Sequence, residues 1–128
     1  MSKIKQAEYL WVDGAKPVQK IRSKTRITIF KDPDNVKLSD FPEWSFDGSS
    51  TNQSQGGNSD LLLRPVNFVK DPIRGEGNYL VLCEVENPDG TPHWSNTRAG
   101  LRRVLDAGGA KHNPWVGFEQ EYTLYRDG

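Results

Sequence analysis

This 128-residue sequence contains only one cysteine, and its acidic and basic residues are equal in number. Each of these two features argues against a class of protein. The single cysteine, Cys83, cannot form an internal disulfide, so a disulfide-stapled secreted scaffold is excluded. Seventeen basic residues balance seventeen acidic ones, which gives no electrostatic reason to expect a nucleic acid as partner. Cys83 lies in an apolar run, where we expect a reduced, buried core residue.

Long hydrophobic runs are also missing. No stretch approaches the length that spans a membrane, and the first six residues contain no apolar core of a secretory signal. We therefore expect a cytoplasmic protein without a membrane partner. The apolar fraction is only 34%, but four Trp, five Phe and four Tyr can fill much of a small core. A folded domain is favoured over disorder.

The sequence does contain several short strand patterns and one late helix pattern. The predicted strands cover residues 8–12, 18–30, 61–63, 66–69, 79–85 and 116–125. Residues 45–60 are predicted to form a mobile loop, because Gly, Ser and Asn favour neither helix nor strand. A helix is predicted from Ser95 or Asn96 to about Ala107, where Gly108 stops it. This order of elements predicts an α+β domain.

Glu119 and Glu121 stand one residue apart in the last predicted strand. Alternate residues of a strand share a face, so the two carboxylates would project together, with Cα atoms about 6.6 Å apart. Hard divalent ions such as Mg²⁺ or Mn²⁺ prefer carboxylate oxygens. Pattern alone still favours the alternative, which is an ordinary solvated strand face.

A second candidate site is Asp47, which is followed by a glycine and three hydroxyl residues. An acceptor-rich loop of this kind can hold an ammonium ion. The alternative, which pattern alone favours, is an Asp-Gly turn tethered to the core by Trp44 and Phe46.

Three weaker features have simple interpretations. Arg64 and the basic loop 70–75 would suit phosphate or a neighbouring subunit, but mixed charges around prolines are more typical of exposed turns. His93 and His112 lack ligand spacing and are predicted to lie at the surface. Trp115 would either stack on a ligand ring or pack in a core or interface.

Taken together, the motifs occur in one order with one set of spacings. They are WVDG at 11–14, RSKTR at 22–26, PEWSFDGSST at 42–51, NSD at 58–60, LRP at 63–65, DP at 71–72, LVLCE at 80–84, NTR at 96–98 and PWVGFEQEYTL at 114–124. From about residue 8 onward, this series closely resembles the N-terminal portion of glutamine synthetase of the eukaryotic-like type (type II).

The resemblance implies a β-grasp domain followed by the first helix and strand of an α/β catalytic domain. By resemblance, residues 1–7 form a tail, 8–96 the β-grasp domain and 97–128 the start of the catalytic domain. The family joins ammonia to glutamate at the expense of ATP, through γ-glutamyl phosphate. Its other metal ligands and its nucleotide-binding elements lie further along, so we expect these 128 residues alone to be catalytically incomplete. The alternative is a stand-alone β-grasp interaction or regulatory module.

The resemblance also implies roles for four residues. Asp47, with Ser50 nearby, would bind and deprotonate ammonium in the active site of the adjacent subunit. Glu119 would ligate a metal and lie beside ATP, and Glu121 would be a second metal ligand. The implied cofactor is Mg²⁺ or Mn²⁺, with ATP, glutamate and ammonium as substrates. The implied assembly is a double-ring homo-oligomer.

Overall fold

A computed structural model describes residues 4–75 and 77–126 of the chain. The strands and the α-helix within those residues are β1 (Ile4–Val12), β2 (Ile21–Ile29), β3 (Trp44–Asp47), β4 (Asp60–Lys70), β5 (Tyr79–Glu86) and α1 (Thr97–Asp106). Short 3₁₀ turns occupy Leu38–Asp40, Gly48–Thr51 and Gly109–His112.

The strands form one mixed sheet in the order β2-β1-β5-β4-β3. The neighbours β1 and β5 run parallel, whereas β1–β2, β4–β5 and β3–β4 are antiparallel. A mixed five-stranded sheet accompanied by one α-helix confirms the predicted α+β class.

The core lies on one face of this sheet because buried and exposed residues alternate along the central strands. Tyr9 and Trp11 of β1 are buried, as are Val81 and Cys83 of β5, while the residues between them are more exposed. The predicted burial of Cys83 is thereby confirmed. Leu63 of β4 is fully buried beside them, and each such side chain contributes roughly 1.5–3 kcal/mol of hydrophobic stabilisation.

Two strands are longer than the sequence predicts. β1 begins at Ile4, which pairs with Ile29, so residues 4–7 of the predicted tail belong to the sheet. β4 is one continuous strand, although two strands separated by Pro65 are predicted. A register shift between Pro65 and Asn67 lets the proline sit in the strand without breaking the pairing to β5.

Within residues 45–60, which are predicted to form a mobile loop, 45–47 belong to β3 and Gly48–Thr51 form a hydrogen-bonded 3₁₀ turn, while 52–59 have no regular secondary structure. The loop prediction is wrong for 45–51 because the stretch carries its own anchors. Phe46, Thr51 and Gln53 are buried.

The predicted helix is confirmed as α1. The Asn96 side chain caps it by accepting a hydrogen bond from the Ala99 N–H at 3.0 Å. Ala99 is buried, but the apolar residues Leu101 and Val104 are exposed. Within the described ranges, no helix has both the length and the apolar character needed to cross a membrane.

Candidate functional site

Asp47 lies where β3 ends and the turn Gly48–Thr51 begins. The preceding residue, Phe46, is buried against Trp11 with ring centroids 4.8 Å apart, which fixes the end of the strand. Asp47 itself is exposed. The buried ring therefore holds the backbone while the carboxylate remains open to solvent.

The Asp47 carboxylate is held by the residue two positions further on. Its Oδ1 accepts hydrogen bonds from the Ser49 N–H at 2.9 Å and the Ser49 hydroxyl at 2.7 Å. The Ser49 hydroxyl first, then its N–H and a contribution from Ser59, lower the pKa of Asp47 below its usual value. Asp47 is accordingly anionic at neutral pH.

Ser50 lies in the same turn, as the sequence predicts. Its hydroxyl donates to the Asp47 carbonyl at 3.0 Å, and its own carbonyl accepts from Arg22 Nη2 at 3.4 Å. Asp60 pairs with Asp47 across β3 and β4, so a second carboxylate lies opposite the first. This corner of the sheet combines negative charge with hydroxyl groups, a set of acceptors suited to a small cation.

A shallow cavity of about 240 Å³ opens beside this turn, and its lining includes Asp47, Ser50 and Phe46 together with Arg22 and Lys24. The Lys24 Nζ donates to the Ser45 carbonyl at 2.9 Å and lies 3.8 Å from the centroid of the Trp44 ring. Its ammonium is thus satisfied by neighbouring groups.

The turn Gly48–Thr51 is hydrogen-bonded to the β1–β2 connection. The Gly14 N–H donates to the Thr51 carbonyl at 2.9 Å. A Cβ on Gly14 would lie only 2.1 Å from the Asn52 carbonyl oxygen, so this close approach requires glycine. The adjacent Asp13 is buried, and backbone N–H groups of Lys20 and then Ala15 lower its pKa.

A buried polar chain behind the turn was not predicted from the sequence. The Gln53 amide donates to the Ser95 hydroxyl at 2.8 Å, and that hydroxyl lies 2.9 Å from His93 Nδ1. His93 is 5% exposed, so its predicted surface position is wrong. Burial lowers the pKa of His93. No local signal marks these residues, because Gln53 and Ser95 are 42 positions apart.

The predicted strand 116–125 is absent from the described residues. That stretch has no regular secondary structure, and its side chains are exposed, including Phe118 at 95%. The strand prediction fails because alternation needs a neighbouring strand to accept the backbone hydrogen bonds, and none lies beside it in the described chain. Trp115 is exposed as well, so it packs in no core here.

Glu119 and Glu121 lie in this irregular stretch, far in sequence from Asp47. Their carboxylates have the right chemistry for a hard divalent cation. However, the described part of the chain contains no group of three or more His, Cys, Asp or Glu residues able to hold a metal. Two carboxylates are fewer ligands than Mg²⁺ or Mn²⁺ requires, so they do not constitute a metal centre by themselves.

The arginines considered for phosphate contact are both ion-paired within the chain. Arg64 Nη2 lies 2.7 Å from Glu86 Oε2. Arg74 Nη1 lies 2.6 Å from Asp71 Oδ2, and its Nη2 lies close to Glu8. Arg74 lies in an exposed turn, as the simpler interpretation has it, whereas Arg64 lies within β4 and not in a turn.

Comparison with known proteins agrees with this geometry. Residues 3–88 match the family model described as the glutamine synthetase β-grasp domain. The chain is 51% identical over 125 residues to the chloroplastic glutamine synthetase of Chlamydomonas reinhardtii, with 92% of this chain and 32% of that protein aligned. It is 53% identical over 123 residues to the glutamine synthetase of Streptomyces viridochromogenes, covering 96% of this chain and 35% of the relative.

A fungal glutamine synthetase, from Tuber borchii, is 50% identical over 119 residues, with 93% of this chain and 31% of the relative aligned. The chain thus spans about a third of the length of the curated relatives it matches. The mixed sheet described above is the β-grasp domain that the sequence predicts. The family model covers well over half of the chain, and on that ground the chain belongs to the glutamine synthetase family through its β-grasp domain.

Proposed function

We propose that this chain is the ammonium-side part of a type II glutamine synthetase. In the whole enzyme, ammonia would be ligated to glutamate at the expense of ATP through γ-glutamyl phosphate. The observation that carries the proposal is Asp47, an anionic carboxylate on a turn that is already ordered but left open to solvent. An ordered anion loses little entropy when it binds a cation, which suits recognition of ammonium.

Asp47 would act first by binding ammonium as a cation. Asp60 faces Asp47 in the register of β3 and β4, and the Ser50 hydroxyl lies in the same turn. Asp47 would then accept a proton, leaving neutral ammonia with the electron pair that attacks the acyl phosphate. Because the pKa of Asp47 is lowered, that transfer is unfavourable on its own and is drawn forward by consumption of the ammonia.

Glu119 and Glu121 would contribute two carboxylates to Mg²⁺ or Mn²⁺ sites, with Glu119 also beside ATP. Their oxygens fit the preference of hard cations, while further ligands would come from other parts of the whole enzyme. When bound, such ions neutralise the charge on the phosphoryl group being transferred. The exposed, unpaired segment that carries both residues suits a strand that pairs elsewhere in the whole enzyme.

The remaining proposals concern subtype, assembly and compartment. The sequence identity is about the same to the glutamine synthetases of Chlamydomonas reinhardtii, Streptomyces viridochromogenes and Tuber borchii, which supports the eukaryotic-like type, a type not confined to eukaryotes.

A homo-oligomeric double ring would place Asp47 against the active site of the neighbouring subunit. The unpaired, buried Cys83 thiol suits a reducing compartment, and we propose the cytoplasm.

The test joins this chain to the remaining two thirds of a glutamine synthetase, for example that of S. viridochromogenes. Asp47→Asn should raise KM for ammonium at least roughly tenfold, since removing one charge near a bound cation costs on the order of 1.4 kcal/mol or more. The KM for glutamate should stay within about twofold.

A matched control lies in the same domain. Asp89 accepts hydrogen bonds from the N–H and hydroxyl of Thr91, the same arrangement as Asp47 with Ser49, and its pKa is lowered in the same way. Asp89→Asn removes an equivalent charge from a turn that is not at the proposed site, so ammonium kinetics should be unchanged. Equal effects of the two substitutions would overturn the assignment.

The 128-residue chain by itself should form no γ-glutamyl product with ATP and Mn²⁺. Its described residues offer only Glu119 and Glu121 at the proposed metal position, which is too few ligands. Measurable turnover by the isolated chain would contradict this division of the active site.

A further inference from the structure

Gln53 is a buried amide whose polar groups are all occupied. Its Nε2 donates to the Val12 carbonyl at 3.1 Å and to the Ser95 hydroxyl at 2.8 Å. Its Oε1 accepts from the Trp11 indole N–H at 3.3 Å. A side chain bonded to both β1 and the segment before α1 has one position in the folded chain.

The backbone of Gln53 closes the turn that begins next to Asp47. Its N–H donates to the Gly48 carbonyl at 2.9 Å, and the Gly48 N–H donates to the Ser59 carbonyl at 2.8 Å. Gly48 is bonded covalently to Asp47. A displacement of Gln53 would therefore reach Gly48, which lies in the chain between Asp47 and Ser49, the residue that holds the Asp47 carboxylate.

Ser95 supports Gln53 from the other side. Its backbone N–H lies 3.3 Å from His93 Nδ1, and its hydroxyl lies 2.9 Å from the same nitrogen. The Ser95 hydroxyl thus connects the Gln53 amide to the buried His93 ring. Ser95 is buried, so water does not readily replace these bonds.

We propose that Gln53 is a positioning residue for the turn that carries Asp47 and Ser50, with Ser95 as its support. This rests on the proposed function of Asp47. Asp47 is exposed, so its place is set by the backbone of its turn and by the two hydrogen bonds from Ser49. The buried amide of Gln53 links that turn to β1 and to the start of α1.

The first test uses the 128-residue chain and NMR. In Gln53→Ala, the Ser49 amide should exchange with solvent roughly tenfold faster or more. The pKa of Asp47 should rise toward its ordinary value as the Ser49 hydrogen bonds loosen. Amides of β5 should keep their protection. Gln55→Ala is the matched control, since Gln55 is an exposed glutamine two residues away.

Ser95→Ala is a second variant that removes only the outer support, in case Gln53→Ala fails to fold. It should shift the Ser49 exchange rate and the Asp47 pKa in the same direction by a smaller amount. If either variant folds and leaves both quantities as in the unaltered chain, the positioning role is wrong.

The second test separates positioning from mere stabilisation. In the joined enzyme, Gln53→Ala should raise KM for ammonium several-fold, and Gln55→Ala should leave that KM unchanged. A loss of kcat and stability with unchanged KM would overturn the proposal. The NMR result does not depend on activity, so failure of the ammonium assignment would appear in Asp47→Asn kinetics and leave the NMR outcome unaffected.

Discussion

Because Gly14 lies close to the Asn52 carbonyl, we predict that Gly14→Ala destabilises the fold. The new Cβ would lie 2.1 Å from the carbonyl oxygen and 2.8 Å from its carbon. Both are backbone atoms of a residue in the left-handed region, with φ 57°. A backbone carbonyl cannot rotate aside as a flexible side chain does, so the two loops must separate.

The cost follows from two terms. Forcing an extra methyl into packed structure costs about 1–3 kcal/mol. Separating the loops also weakens the hydrogen bond from the Gly14 N–H to the Thr51 carbonyl, worth about 0.5–1.5 kcal/mol. We expect the free energy of unfolding to fall by about 2–4 kcal/mol, which most domains of this size survive.

The assay is urea unfolding followed by tryptophan fluorescence. With a typical dependence of the free energy of unfolding on urea concentration, the midpoint of the unfolding transition should fall by about 1–2 M urea. Gly57→Ala is the matched control because no atom lies within 4 Å of its Cβ position. If the unfolding midpoint of Gly14→Ala is no lower than that of Gly57→Ala, the close approach of Gly14 to the Asn52 carbonyl is wrong.

Three further predictions follow from buried groups. Leu63→Ala should lower the free energy of unfolding by about 2–5 kcal/mol, while the half-buried neighbour Leu62→Ala should cost clearly less; equal costs by urea unfolding would contradict the core assignment. Because burial lowers the pKa of His93, the unfolded chain binds more protons than the folded chain as the pH falls through about 6.5, until the folded His93 is protonated as well. Stability should fall as pH drops through that value, and His93→Gln should flatten this part of the profile; an unchanged slope would rule His93 out as its source. Burial raises the pKa of the Cys83 thiol to about 12, so a thiol reagent at pH 8 should label it only after unfolding, and rapid labelling of the folded chain would disprove its burial.

Short apolar runs predict the central strands because such runs involve only neighbouring residues. The apolar-aromatic run at 8–12 and the apolar run at 79–85 indicate β1 and β5 directly, and Asn96 marks the start of α1. The ends of β1 are harder to predict, since Ile4 joins the strand through its pairing with Ile29.

The features that sequence pattern does not predict depend on partners far along the chain. Residues 45–51 are held by Phe46 against Trp11 and by Gln53 behind the turn. The anchoring by Phe46 agrees with the tethered Asp-Gly turn that the sequence offers as an alternative, whereas the contacts of Gln53 leave no signal in the sequence. The sequence predicts His93 at the surface because no local pattern shows that Gln53, from far along the chain, joins Ser95 and His93 in a buried chain of contacts. For residues 116–125 the error is the reverse, because the pattern of a strand is present without a strand beside it.

The parallel pairing of β1 with β5 has a consequence for synthesis of the chain. Contacts such as that from the Gln6 N–H to the Asn78 side chain join residues 72 positions apart. A ribosome adding about 5–20 residues per second needs roughly 4–14 s to cover that distance. During this interval β1 has a partner only on its β2 side, so its other edge remains available to any extended segment, and the arrival of β5 is what closes it.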